Sequence, residues 1–114
     1  WMFYCMAELE QPLWVYGKHT FVYPESHRVK EILPGTAREF RRAKKVVSQA
    51  LADRSYLLGE QFTAADILVG QTLMWARSAD FQLDCETLET YVAQLKARPA
   101  HKRVIQKLKS RAAR

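Results

Sequence analysis

Apolar residues recur along this chain at helical intervals, and no stretch keeps the period of two that a half-buried strand would show. Over residues 2–14, Met2, Met6, Leu9 and Leu13 follow at steps of four, three and four, one stripe of a helix, with Glu8 and Glu10 off it. Pro12 lacks an N–H, so this helix should kink or restart there, and Gly17 can end it. Residues 18–35 carry Pro24, Pro34 and Gly35 and read as irregular, with at most one helical turn over 26–32. A second helix, about 36–53, places Phe40, Ala43, Val47, Ala50 and Leu51 on one side. Arg38, Arg41, Arg42, Lys44 and Lys45 fall mostly on the other, as a solvated face. In the connector over 54–62, Gly59 can supply a turn that other residues resist. A third helix, about 63–79, has Asp66 as its only charge between Ala64 and Ala76, which suits the middle of a bundle. Gly70 inside it costs roughly 1 kcal/mol relative to Ala, which close approach of a neighbouring helix would offset. A fourth helix, about 85–97, turns Leu88, Tyr91, Val92 and Leu95 inward, with Asp84 as its cap. Pro99 opens a fifth, whose buried positions should be Val104, Ile105 and Leu108. The fold class is therefore all-α, a bundle of about five helices forming one domain over residues 1–114.

Composition fits that reading and narrows the chemistry. A chain of 114 residues, 48% apolar and 26% charged, suits one ordinary globular domain. It opens on Trp1-Met2-Phe3-Tyr4-Cys5-Met6, an apolar run expected in the middle of a longer chain. No segment approaches the roughly 18 apolar residues of a membrane span, so no membrane partner is expected. Two cysteines are too sparse for a disulfide framework, which points to a reducing cytoplasm. Of the eighteen Lys and Arg, eight lie in residues 96–114 with no acid among them; the other ten face all twelve acids. That tail reads as a solvated basic helix end whose cations suit the helix dipole, so nucleic acid is not the expected partner. His19, His27 and His101 have no ligand spacing, and no metal is expected.

The segment Phe62-Thr63-Ala64-Ala65-Asp66-Ile67 has a physical meaning of its own. The Thr63 hydroxyl can accept from the N–H of residue 66. Asp66 can reach back to the N–H of Thr63, closing a capping box. Phe62 and Ile67, just outside and just inside, can pack as a hydrophobic staple. An apolar helix follows, so this helix start should be buried, where each unsatisfied N–H would cost about 1–3 kcal/mol.

With its preceding residues Tyr56-Leu57-Leu58-Gly59-Glu60-Gln61, this segment resembles the capping box and staple of glutathione transferases, which open the central helix of their C-terminal domain. Tyr91, Leu95 and Ala97-Arg98-Pro99-Ala100 resemble the same family's tyrosine and its Arg-Pro-Ala motif. Residues 1–14 are similar to the long first helix of that domain in bacterial members. The resemblance implies a two-domain parent whose N-terminal thioredoxin-like domain, absent from this chain, binds glutathione as co-substrate and holds the thiolate-stabilising residue. No catalytic residue is therefore expected here, and neither Cys5 nor Cys85 is given that role. It implies that this half binds a small hydrophobic electrophile and contributes to a homodimer. By that resemblance Tyr4, Glu8 and Trp14, with Phe3 and Trp1, are the candidate electrophile-binding residues. The alternative is a non-catalytic relative of the same fold serving as a protein-interaction module, a use the basic terminal helix would fit.

Overall fold

Pro12 shapes the first helix of the computed structural model, which describes residues 1–114. The helix α1 runs over residues 2–22, but not as one regular spiral. Met2–Tyr4 is α-helical, Cys5–Leu9 widens into a π-helical turn, and the chain bends at Glu10. The Glu10 N–H donates to the Cys5 carbonyl at 2.8 Å, a five-residue step. The α-helix restarts over Gln11–Gly17 with Pro12 in its first turn, where the missing N–H costs nothing. The bulge changes which side chains face inward. Cys5, Leu9 and Leu13 are buried, while Met2 and Met6, expected on that stripe, lie exposed.

Gly17 does not end the segment. It is buried beside the Phe21 ring, which an added Cβ would meet at 3.3 Å, and the helix continues as a second π-helical turn, Lys18–Val22. Two short 3-10 turns, Glu25–His27 and Lys30–Ile32, make up the irregular stretch. Helix α2 then starts earlier than its apolar stripe suggests. It spans Leu33–Leu51, with Pro34 in the first turn and Gly35 inside it.

Helix α2 buries Thr36, Phe40, Ala43, Lys44, Val47 and Leu51. Lys44 departs from the basic face on which sequence placed it. Its ammonium donates to the carbonyls of Gln82 at 2.6 Å and Leu83 at 2.7 Å, and lies 3.8 Å from the Asp84 carboxylate. It thereby ties α2 to the loop after helix α3, Ala64–Ser78. Asp84 serves that tie, with φ of 49°, and does not cap the next helix. Helix α4, Glu86–Ala97, has Cys85 at its N-cap and no side-chain cap. Helix α5, Pro99–Ala112, follows after Arg98 and buries nothing. Val104, Ile105 and Leu108, expected inside, are exposed.

Helix α3 packs against α1 and α4, and its residues Ala65, Val69, Leu73 and Ala76 join one connected apolar core. It is not enclosed all round, because Ala64, Ile67 and Gln71 face solvent. Gly70 is the point of close approach: a Cβ there would overlap the Leu95 side chain of α4.

The start of α3 is where the chain closes on itself. Asp66 is 0% exposed. Its Oδ2 accepts from the Thr63 N–H at 2.9 Å, and the Thr63 hydroxyl side completes a capping box. Its Oδ1 accepts from the Leu57 N–H at 3.0 Å and from the Tyr91 hydroxyl at 2.7 Å. One carboxylate thus ties connector, helix start and α4. The expected staple is different in kind. Ile67 is exposed, and Phe62 instead packs edge-on to Tyr56, with the Arg98 guanidinium 3.5 Å above its ring. Tyr56 lies in a tight turn closed by Gly59, whose φ is +116°: the Tyr56 N–H donates to the Gly59 carbonyl at 2.9 Å.

Two stability outcomes follow. Asp66→Ala strands the Leu57 N–H and the Tyr91 hydroxyl and removes a cap, and should lower the free energy of unfolding by about 2–4 kcal/mol in a urea titration. Gly70→Ala should cost about 1–3 kcal/mol through overpacking. In Leu95→Ala, the same Gly70 change should cost less. Equal costs in both backgrounds would contradict the close approach.

Candidate cleft and family membership

A surface cleft of about 530 Å³ lies between α1 and α2. Tyr4, Ala7, Glu8 and Pro12 line it from α1 and Glu39, Arg42, Ala43 and Val46 from α2. The bulge and bend of α1 present Tyr4 and Glu8 here while Cys5 and Leu9 enter the core. Two of the five residues implied as electrophile contacts therefore share this wall, and Trp1 adjoins it by packing edge-on against Tyr4 with ring centroids 5.4 Å apart.

The other two lie elsewhere. Trp14 packs edge-on to Trp75, and its Nε1 donates to Glu10 at 2.7 Å. Phe3 is 88% exposed and lines no part of the cleft. Glu39 and Arg42 complete the cleft unforeseen: Arg42 reads as part of the wet face in the sequence, and Glu39 is not singled out there. Their position one turn or less from the buried Ala43 was the available signal.

The cleft has mixed character. Ala7, Pro12, Ala43 and Val46 are its aliphatic lining, of which Pro12 and Ala43 are buried, and Glu8, Glu39 and Arg42 give it charge. The Tyr4 hydroxyl donates to the Ala43 carbonyl at 3.1 Å. Burial, and then the Glu8 carboxylate, push its phenol pKa up, while Arg42 pulls it down. The phenol is thus a neutral group whose proton is already committed, and it offers the cleft a ring face and an oxygen acceptor.

Neither cysteine faces this opening. Cys5 is fully buried beside the Thr72 hydroxyl, with Sγ and Oγ1 3.3 Å apart, and burial raises its thiol pKa. Cys85 is half-buried at the start of α4. His19 accepts from the Val29 N–H at 3.0 Å and His27 lies beside Ser26, so both serve the loop before α2. No three His, Cys, Asp or Glu side chains come close enough to hold a metal ion.

The family profile described as "Glutathione S-transferase, C-terminal domain" matches residues 30–106, well over half of the chain. The chain belongs to this family. Among solved structures it is similar to Gtt2 from Saccharomyces cerevisiae, at 26% identity with a TM-score of 0.76. The match covers 88% of this chain and 51% of that one, so the chain spans about half the length of the structure it resembles. Comparison with curated protein sequences gives no match. The transferase C-terminal residues that carried the resemblance prove to be physically coupled. Asp66 binds Tyr91, and Phe62 lies under Arg98, so motifs 25 and 36 residues apart meet at one end of α3.

The phenols report on both places. Tyr91 is also pushed up, chiefly by burial and then by its hydrogen bond to Asp66. The folded state holds the Tyr91 proton more tightly than the unfolded chain. Its contribution should be complete below about pH 10 and be lost as the pH rises beyond that value. In an ultraviolet titration of the folded chain, Tyr4 and Tyr91 should ionise late. Tyr91→Phe should remove one late phenol and flatten the alkaline loss of stability; an unchanged titration curve would contradict the Asp66–Tyr91 bond.

Proposed function

We propose that this chain is the electrophile-binding and dimer-contributing half of a cytoplasmic glutathione S-transferase-like protein. Joined to a thioredoxin-like N-terminal domain, it would conjugate glutathione to small hydrophobic electrophiles. The observation that carries the reading is the family match, together with a chain that covers about half of Gtt2. The cleft between α1 and α2 supports it, because an open pocket with a tyrosine wall, aliphatic lining and charged rim suits a small aromatic molecule that carries a polarised group.

In this reading the partner domain binds glutathione and lowers the pKa of its thiol. This chain supplies position. Tyr4 gives a ring face, and its phenol, held by the Ala43 carbonyl, keeps that ring in place. Trp1 packs against Tyr4 and stiffens the mouth. Fixing the electrophile next to a thiolate replaces a bimolecular encounter with an oriented one. Glu8 and Arg42 bias the cleft toward polarised substrates. No side chain of this half acts as the nucleophile.

The test is kinetic. The 114-residue chain alone should give no conjugation of glutathione to a reactive aryl halide. In the two-domain parent, Tyr4→Ala and Glu8→Gln should raise KM for the aryl halide about tenfold, equivalent to roughly 1.4 kcal/mol. KM for glutathione should not move. Turnover by the chain alone, or KM changes confined to glutathione, would overturn the assignment.

A further inference from the structure

Of the five helices, α5 is the one with no buried residue. Its apolar side chains are nonetheless sorted. Val104 is 56% exposed, Ile105 38% and Leu108 55%. At about 100° per residue, these three fall with His101 and Ala112 in one sector about 100° wide. Arg111 borders that sector on one edge and Lys109 on the other. Lys102, Arg103 and Lys107 occupy the remaining circumference with Gln106 and Ser110. Residues 96–114 contain no acid. At its head the stripe runs on into the bundle, where His101 lines a groove with Phe62, Ile67, Met74 and Leu95.

We propose that α5 docks reversibly on an anionic lipid surface. Val104, Ile105 and Leu108 enter the boundary between headgroups and acyl chains, and the flanking Lys and Arg reach outward to lipid phosphates and carboxylates. Three aliphatic side chains are too few to hold a neutral surface alone, so attraction to anionic headgroups is required. Sequence periodicity placed these three inside and gave no reason to expect a membrane partner; their exposure supplies one. No helix of the structure is long and apolar enough to cross a membrane, and an interfacial helix does not cross one.

Other occupants fit the helix less well. Nucleic acid would use the cations and leave the apolar stripe in water. A second α5 would set one acid-free cationic helix against another. A protein groove is usually anchored by aromatic residues, and α5 carries none. The inference uses only the terminal helix, and it requires that the partner domain of the transferase reading leave the apolar stripe uncovered.

The experiment is co-sedimentation of the 114-residue chain, which has its own connected core, with lipid vesicles. Vesicles of phosphatidylcholine are compared with vesicles also containing phosphatidylserine, at about 50 mM and about 500 mM NaCl. The chain should pellet with the anionic vesicles at low salt and lose about tenfold or more of its partitioning at high salt. Ile105→Asp with Leu108→Asp should abolish pelleting, and Lys107→Glu with Lys109→Glu should do the same. Both pairs should leave the melting temperature unchanged, since these side chains touch no core. Failure to pellet with anionic vesicles at low salt would overturn the proposal. So would equal pelleting with neutral vesicles, or retention on duplex DNA that survives the aspartate pair.

Discussion

A single buried carboxylate ties the connector, the start of α3 and α4 into one unit. Asp66 has no cation within ion-pair distance, so its burial rests on hydrogen bonds and on the positive end of α3. Each donor it takes comes from a different part of the chain: the connector at Leu57, the helix start at Thr63, and α4 at Tyr91. Satisfying a buried N–H and a buried phenol with one group couples elements that apolar packing alone would leave free to slide. No buried side-chain nitrogen or oxygen in the molecule lacks a partner. The apolar contacts supply most of the driving force, and the clasp selects the arrangement in which they form.

Lys44 repeats the device at the other end of α3. A long aliphatic stem crosses the core boundary and its ammonium takes the Gln82 and Leu83 carbonyls, which a loop with Asp80 and Asp84 at positive φ would otherwise leave without helical partners. The two polar groups, one anionic and one cationic, therefore bracket the apolar run of α3. Between them the packing is tightest at Gly70, where an added Cβ would overlap the end of the Leu95 side chain.

The parts of the fold that were legible in the sequence are those governed by local chemistry. The capping pair Thr63 and Asp66, the turn at Gly59, the restart at Pro12 and the inward faces of α2 and α4 each follow from residues within a few positions of one another. What could not be read depended on geometry that periodicity does not encode. A π-helical turn gains a residue over an α-turn, so an ideal helical wheel drawn from Met2 assigns the wrong side chains to the core, and Cys5 replaces Met6 there. Lys44 shares the stripe of Phe40, Val47 and Leu51, yet its charge draws it to the basic side in any polarity pattern. In α5 the pattern of apolar residues is present but none of them is buried; amphipathicity shows that a helix has a face to cover, not what covers it. For the cleft, Tyr4 and Glu8 came from the family resemblance alone, among five residues of which Trp14 and Phe3 lie elsewhere. Glu39 and Arg42 were not legible, because their contribution depends on how α2 lies against the bent α1.

The same contrast separates the rigid parts of the molecule from those available to partners. Around the α3 start the buried side-chain polar groups are committed, and the residues that carry the family resemblance bind one another: Asp66 with Tyr91, Phe62 with Arg98. Those motifs are thus explained by folding and by themselves say little about chemistry. The cleft and α5 have the opposite character. Tyr4 makes one hydrogen bond to a main-chain carbonyl, Arg42 makes no ion pair, and the apolar face of α5 meets solvent. Groups left without internal partners cost the isolated fold little when they sit at the surface, and they are the ones free to bind something else. Cys5, Leu9 and Leu13 tie the inner face of α1 into the core, so the freedom to bind lies with its outer face, where Tyr4 and Glu8 line the cleft, and with α5.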